Sequence, residues 1–133
     1  MLTHLSIRNI VLIEACALSF APGLCVLTGE TGAGKSILLD ALGLALGARA
    51  DASLIRRGEE SGTVTAEFDI SRNATAQALL AELDVEHDGA LMIRRSVGAD
   101  GKSRAWLNDQ PVSATALKRV GETLIEVHGQ HDQ

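Results

Sequence analysis

The sequence predicts an α/β fold organised around a phosphate-binding loop. Residues 29–36, which read Gly-Glu-Thr-Gly-Ala-Gly-Lys-Ser, match the pattern G-x-x-x-x-G-K-[S/T]. A short apolar run at residues 24–27 precedes this loop, and a strongly helical segment at residues 36–46 follows it. Strand, loop and helix in this order form the setting in which the pattern binds phosphate, so we expect a nucleoside triphosphate site here.

Each residue type in the loop has a physical role. Glycines permit backbone conformations that are closed to other residues, and they bring backbone N–H groups close to an anion. Lys35 can reach the β- and γ-phosphates of ATP, and the Ser36 hydroxyl is placed to ligate Mg²⁺. The positive end of the helix beginning near Lys35 adds to the attraction. The predicted nucleotide-binding residues of the loop are Gly29, Glu30, Thr31, Gly32, Ala33, Gly34, Lys35 and Ser36.

Two strands are predicted before the loop. In residues 2–10, Leu5 and Ile7 face one way while His4, Ser6 and Arg8 face the other. Residues 11–20 continue as a second apolar-rich run, so the pair is predicted to form a hairpin or meander.

The helix after the loop is apolar nearly all round, which predicts that other structure covers most of its sides. Asp40 is its one charged residue after Lys35. Because an unpaired buried carboxylate is costly, we expect Asp40 to pair with a buried cation or a backbone donor. Gly47 is predicted to end the helix.

A polar connector, residues 48–61, leads to a second group of elements. Residues 63–70 alternate at period two and predict a strand. Asn73 is a predicted N-cap for a short helix at residues 74–83, where alanine and leucine make one apolar stripe.

The strongest hairpin signal in the chain is Asp100-Gly101, between predicted strands at residues 91–97 and 103–108. After it, Ser113 is expected to cap another short helix that ends at Val120. Residues 123–128 are predicted to form a buried strand. The predicted architecture is therefore an antiparallel meander beside the P-loop strand and helix, without the regular β-α-β order of a doubly wound nucleotide kinase.

Composition narrows the classes of protein. The chain has 133 residues, 46% hydrophobic and 22% charged, which predicts one soluble globular domain. It has no uninterrupted apolar run long enough to span a membrane and no signal-peptide pattern, so a cytoplasmic location is expected. Its net charge of −5, single Trp and absence of Tyr argue against an autonomous nucleic-acid reader. Cys16 and Cys25 are expected to be buried, reduced thiols.

Several segments together resemble one family from end to end. They are Leu5-Ser6-Ile7-Arg8-Asn9-Ile10, the loop and helix through Gly47, Arg49-Ala50-Asp51, Ile55-Arg56-Arg57-Gly58, Arg104-Ala105-Trp106-Leu107-Asn108 and Val127-His128-Gly129-Gln130-His131. This set resembles the N-terminal part of the RecN family of bacterial DNA repair proteins, which are relatives of the structural maintenance of chromosomes (SMC) ATPases.

The resemblance implies an ABC/SMC-type ATPase head that is split in sequence. Residues 1–133 would form the N-terminal lobe with the P-loop, and a long antiparallel coiled coil would separate it from a C-terminal lobe. That second lobe would carry the signature and Walker B motifs, for which this sequence has no candidate. The lobe alone would then be inactive.

The same resemblance implies partners and a role. ATP and Mg²⁺ would be held between two heads of a homodimer, and engagement and hydrolysis would drive DNA binding or tethering during recombinational double-strand break repair. The implied location is cytoplasmic and nucleoid-associated, without a membrane.

The resemblance also assigns roles outside the loop. Lys35 and Gln130 would be catalytic, since Gln130 matches the Q-loop glutamine that approaches Mg²⁺ and the attacking water. SMC relatives place this Gln immediately before the Gly, a position that His128 holds here. Arg57 resembles the arginine that reaches the phosphates, and the alternative is a solvated loop arginine. Positions that carry a basic and a hydroxyl residue near the nucleotide in some heads are Val11 and Leu12 here.

Three other groups of residues have two interpretations each. His128, His131 and Asp132 could ligate a metal or form a polar loop. Trp106 could pack on the meander or stack on a base. The basic hairpin, which comprises Arg94, Arg95, Lys102 and Arg104, could be a solvated surface or a DNA-facing edge.

Alternative functions come from other classes. The first is a nucleotide-dependent interaction module that binds ATP without turnover. The second is a transport-type ABC ATPase subunit or a small-molecule kinase. A transport subunit should carry an aromatic residue upstream of the loop for stacking on the base, and Phe20 is the only aromatic residue there. A kinase should contain its acceptor site within a similar length.

Overall fold

The computed structural model of the protein describes residues 2–10, 13–19, 40–49, 53, 55 and 57–129. Six antiparallel strands form one sheet in the order β2-β1-β3-β4-β5-β6. The strands are β1 (Leu2–Ile10), β2 (Ile13–Ser19), β3 (Ser61–Asp69), β4 (Ala90–Gly98), β5 (Ser103–Leu107) and β6 (Gln110–Val112). The described helices are α1 at residues 40–45, α2 (Ala74–Glu82) and α3 (Ala114–Gly129).

Alternation along β3, β4 and β5, and through the middle of β1, gives the sheet two different faces. Apolar side chains such as Ile7, Val64 and Ile93 are fully buried on what we call the inner face. They belong to the same core as residues of the three helices, among them Leu44 of α1 and Leu117 of α3. The opposite, outer face carries polar and charged side chains. The helices therefore cover one side of the sheet, as period-two alternation requires.

Several predicted elements are confirmed. β1 and β2 form the predicted antiparallel hairpin, and β1 also pairs with β3. Asn73 caps α2, because its Oδ1 accepts a hydrogen bond from the N–H of Ala76 at 3.0 Å. The Asp100-Gly101 turn joins β4 to β5, with Gly101 at a φ of 84° that glycine adopts without strain.

The predicted strand at residues 123–128 is wrong, because these residues continue α3 to Gly129. Ser113 does cap this helix, since its Oγ accepts from the N–H of Ala116 at 3.0 Å. However, the helix does not stop at Val120. Leu117, Val120 and Leu124 are buried at spacings of three and four residues, so one helical stripe extends into the supposed strand. Burial of that stripe overrides the local preference of β-branched residues for strands.

The expected burial of Asp40 is also wrong. Asp40 is exposed at the start of the described part of α1, whereas Ala41, Leu44 and Ala45 are buried. The helix therefore has a solvent-facing side, and the carboxylate lies on it. The count of apolar residues was misleading because it did not separate the buried positions, Ala41, Leu44 and Ala45, from the half-buried Leu42 and Gly43.

Two further features were not predicted. Strand β6 is only three residues long and contains Pro111, which is tolerated because β6 lies at the edge of the sheet. Ile55, in the polar connector, forms an isolated bridge to Ile10. The described helices include none that is long and apolar enough to cross a membrane.

Candidate functional site

Most of the predicted nucleotide site lies outside the described residues. This holds for the loop at residues 29–36, for Gln130, His131 and Asp132, for Val11 and Leu12, and for the side chain of His128. Arg57 is described and exposed, two residues after the Ile55 bridge and next to Gly58, whose φ is 90°. The structure also describes the end of the helix that follows the loop, and the neighbours of that end are informative.

The C-terminal end of α1 has a defined hydrogen-bonded cap. The N–H of Ala48 donates to the carbonyl of Gly43 at 2.9 Å, and the N–H of Gly47 donates to the carbonyl of Leu44 at 3.2 Å. Gly47 has a φ of 106°. These two bonds and a left-handed glycine make a Schellman motif, which satisfies carbonyls that a helix end otherwise leaves open. The prediction that Gly47 ends the helix is confirmed.

A buried arginine binds this helix end. Arg95 extends from the inner face of β4 and is only 2% exposed. Its Nη1 donates to the carbonyl of Leu44 at 3.0 Å and to the carbonyl of Ala48 at 3.1 Å. Its Nη2 donates to Ser103 Oγ on β5 at 3.2 Å. One side chain thus connects α1 with two strands of the sheet.

The electrostatics of Arg95 explain why it can be buried. Desolvation lowers the pKa of Arg95 from its usual value, because burial disfavours the charged form. The negative end of the α1 dipole offsets part of that cost, since both carbonyls lie at the C-terminal end of the helix. The Nε of Arg95 is buried without a hydrogen-bond partner among the described groups. The guanidinium is therefore held mainly through its two terminal nitrogens.

Helix α3 packs against the same end of α1 at backbone distance. A Cβ atom built on Gly121 would lie 1.9 Å from the carbonyl oxygen of Leu46. A Cβ atom built on Gly47 would lie 2.6 Å from the Cα of Lys118. Neither position has room for a side chain, so the two helices approach through their glycines. The end of α1 is held by Arg95 and by α3, and we call this arrangement the helix-end clamp.

The outer face of the sheet carries a second set of cations. Arg94 lies over the ring of Trp106 on the neighbouring strand, with 4.4 Å between its guanidinium carbon and the ring centroid. Arg8 and Arg104 lie in one cross-strand row, which Thr63 and Ser96 complete. We call Arg8, Arg94, Arg104 and Trp106 the basic end of the outer face. Its side chains are exposed or half-buried.

The other end of the sheet is acidic. An open cleft of about 980 Å³ is lined there by Glu67, Asp69, Glu86 and Asp88, among others. The hydroxyl and the backbone N–H of Ser71 both donate hydrogen bonds to Asp69 Oδ1. These bonds lower the pKa of the Asp69 carboxyl, and the hydroxyl has the larger effect. No group of three metal-ligating side chains occurs in the part of the chain that the structure describes.

The predicted basic hairpin is not one surface, which corrects that prediction. Arg94 and Arg104 are on the outer face, but Arg95 points into the core, and Lys102 lies in the turn that precedes β5. The alternation signalled this, because Arg95 falls in phase with Leu91, Ile93 and Val97. The burial of Arg95 against the end of α1 is also the feature of this region that sequence reasoning missed.

Comparisons with known proteins agree with this geometry. The model of a family described as "AAA domain" matches residues 4–126. The DNA repair protein RecN of Vibrio cholerae is 44% identical over 131 residues, which cover 98% of this chain and 24% of that protein. The RecN of Bacillus subtilis is 38% identical over 133 residues, 99% of this chain and 23% of that protein. The chain thus spans about a quarter of the length of these relatives and, as predicted, it resembles the N-terminal lobe of RecN.

Solved structures support the same fold. A structure described under ATP-driven dimerization and DNA-stimulated activation of SMC ATPases has a TM-score of 0.74 at 20% identity, covering 93% of this chain and 79% of that one. An Smc head domain from Pyrococcus furiosus has a TM-score of 0.72 at 21% identity, covering 92% of this chain and 32% of that one. The predicted fold class, an α/β P-loop NTPase of the ABC/SMC head type with an antiparallel meander, is confirmed.

Proposed function

The chain belongs to the AAA domain family, and on that premise we propose that residues 1–133 are the N-terminal, ATP-binding lobe of a split SMC-like head in a DNA repair ATPase. One observation carries the proposal. A complete P-loop sequence lies in a chain with the fold of an SMC head, and RecN proteins resemble that chain from end to end. The class of protein is therefore an SMC-like DNA repair ATPase.

The loop residues fit Mg²⁺ and ATP by their chemistry. Arg95 binds the C-terminal end of α1, and the chain enters this helix from the loop, so the positive N-terminal end of the helix would lie next to the loop. Backbone N–H groups from Gly29 to Ser36 would bind the phosphates, and the Lys35 side chain would neutralise the β- and γ-phosphates. The Ser36 hydroxyl would supply one oxygen ligand to the metal.

Hydrolysis needs groups that this chain does not supply by itself. Phosphoryl transfer requires a positioned water and stabilisation of charge from the far side of the triphosphate. We assign Gln130 to orienting the water and contacting Mg²⁺, and Arg57 to a phosphate contact. The remaining groups are assigned to the C-terminal lobe and to a second head across a homodimer.

DNA is the proposed macromolecular partner. The net charge is −5, so only a local surface can attract a phosphate backbone. The basic end of the outer face is such a surface, because three arginines and an indole ring lie there among Thr63, Thr65 and Ser96. Hydroxyl and guanidinium groups are common donors to DNA phosphates. The proposed role is binding or tethering of DNA during recombinational repair, in the cytoplasm at the nucleoid.

The loop assignment is tested with Lys35→Ala. Titration calorimetry with Mg²⁺ and ATP should show a loss of tight binding in the longer protein that contains this chain, because the lysine of this motif neutralises the phosphates. Arg119→Ala is the matched control, since it removes a cation from exposed helix surface. An unchanged ATP affinity in Lys35→Ala would overturn the assignment.

The division of the head is tested by turnover. The 133-residue chain should bind ATP weakly and hydrolyse it negligibly, and hydrolysis should appear when the C-terminal lobe is restored. The rate per molecule should then rise with protein concentration as heads pair. Hydrolysis by the chain alone at the rate of the longer protein, independent of concentration, would contradict a split head. Binding without turnover in the longer protein would favour an interaction module.

A further inference from the structure

We propose that Arg95 is a positioning residue for nucleotide binding. Its buried guanidinium fixes the C-terminal end of α1 to the sheet, and this sets where the other end of the helix presents the phosphate-binding groups. The inference rests on the proposed function, since it concerns affinity for ATP. Arg95 itself lies far from the loop in sequence and acts only through the helix.

The contacts of Arg95 restrict movement of the helix end in several directions. Its Nη1 bonds the carbonyls of Leu44 and Ala48, one inside the last turn and one beyond the Schellman glycine. Its Nη2 is anchored on Ser103, a residue of β5, while the Arg95 backbone belongs to β4. The helix end is thus attached to two neighbouring strands through one planar group. A guanidinium holds this geometry because its donors are fixed relative to one another.

Helix α3 limits movement on a further side. The Leu46 carbonyl and the Gly47 backbone lie against Gly121 and Lys118, where an added Cβ would clash with backbone atoms. The end of α1 can therefore shift only if α3 or the β4–β5 hairpin shifts with it. The helix-end clamp behaves as a fixed support at one end of α1.

Fixing one end of the helix matters because a small tilt at that end displaces the other end. Ser36 precedes Leu44 by eight residues in the sequence, and a helix that began near Lys35, as the sequence predicts, would place Ser36 about 12 Å from the clamp. A tilt of about 10° at the clamp would move Ser36 by about 2 Å. Hydrogen bonds keep donor and acceptor within about 2.7–3.2 Å, so such a tilt would break contacts to phosphate.

The test compares a buried arginine with an exposed one. Arg95→Met removes all three hydrogen bonds but keeps an unbranched side chain in the core, and Arg119→Met makes the same change on the exposed surface of α3. Circular dichroism first fixes a temperature at which both variants are fully folded. ATP affinity is then measured by calorimetry on the 133-residue chain with ATP at up to millimolar concentration. Hydrogen exchange of the Leu46, Gly47 and Ala48 amides is followed on the same samples.

We expect Arg95→Met to weaken ATP binding by about tenfold, equivalent to about 1.4 kcal/mol. Exchange of the three amides should accelerate by at least a similar factor, because their protection depends on the clamp. Arg95→Lys should recover part of the affinity for ATP, since lysine keeps the positive charge but lacks the fixed pair of terminal donors of a guanidinium. Arg119→Met should leave both quantities unchanged.

Two results would overturn the assignment of Arg95. One is a folded Arg95→Met variant with wild-type ATP affinity, and the other is a loss of affinity with unchanged amide exchange. If Arg95→Met does not fold, Ser103→Ala takes its place, because it frees Nη2 and leaves both carbonyl bonds intact, with an expected loss of about threefold. Absence of ATP binding by the wild-type chain would instead contradict the proposed function, so the two failures are distinguishable.

Discussion

Arg94 and Arg95 are neighbours in sequence and have the same side chain, yet the sheet gives them opposite environments. Arg95 is 2% exposed on the inner face and binds two carbonyls of a helix end. Arg94 is half-buried on the outer face and stacks on Trp106. The only cause is the period of two along β4, which turns successive side chains to opposite faces. A pair of adjacent cations in a strand is therefore two separate sites.

The largest expected effect is a difference in stability between variants at these two arginines. Arg95→Ala should lower the free energy of unfolding by about 3 kcal/mol, because it opens a cavity and removes the Arg95 donor from the Leu44 and Ala48 carbonyls. Chemical denaturation of this variant beside Arg94→Ala provides the measurement. A loss for Arg95→Ala no greater than that for Arg94→Ala would mean that the inner site is not energetically special.

A second prediction tests the other half of the helix-end clamp. Gly121→Ala should destabilise the protein by about 2 kcal/mol, because its new methyl group meets the Leu46 carbonyl and backbone must move. Gly43→Ala is the matched control in α1, since its nearest neighbour is 3.9 Å away. That change should stabilise the helix by about 0.5–1 kcal/mol. Equal melting temperatures for the two variants would refute close packing of α3 on α1.

The contrast between inner and outer sites also shows which features of the fold can be predicted from the sequence. The alternation predicted strands β1, β3, β4 and β5, and local chemistry predicted the Asn73 cap and the Asp100-Gly101 turn. These features depend on residues close in sequence. The same alternation predicts that Arg95 lies on the inner face, but the prediction gave more weight to its charge than to its place in the alternation.

Other features could not be predicted because their causes are distant in sequence. The carbonyls that bind Arg95 are 51 and 47 residues away, and no local pattern indicates them. The continuation of α3 to Gly129 depends on burial of its apolar stripe against the rest of the core. β-branched residues there favoured a strand locally, and tertiary packing decided otherwise.

A third prediction concerns the outer face, where substitutions should change stability little and DNA binding more. Arg94→Ala should cost about 0.5–1 kcal/mol of stability through loss of the contact with Trp106. In the longer protein, the slope of the logarithm of DNA affinity against the logarithm of salt concentration should fall by about one. Arg104→Ala should give the same change in slope without the loss of stability. An unchanged slope for both variants would exclude the basic end of the outer face as the DNA contact.

The smallest expected effect belongs to Arg119, which has a carboxylate partner. Arg119 on α3 lies 3.4 Å from Glu82 on α2, with 51% and 62% of the two side chains exposed. Water already solvates both charges, so Arg119→Ala should change the free energy of unfolding by less than about 0.5 kcal/mol. Any effect should disappear in high salt, which screens exposed pairs. Among the described residues the acceptors of Arg95 are neutral, but Arg95 itself lies in the core, where a polar group that loses its partner is costly. If Arg119→Ala proved as costly as Arg95→Ala, the formal charge of the partner rather than burial would set the strength of these contacts, and the comparison of the two faces would lose its physical basis.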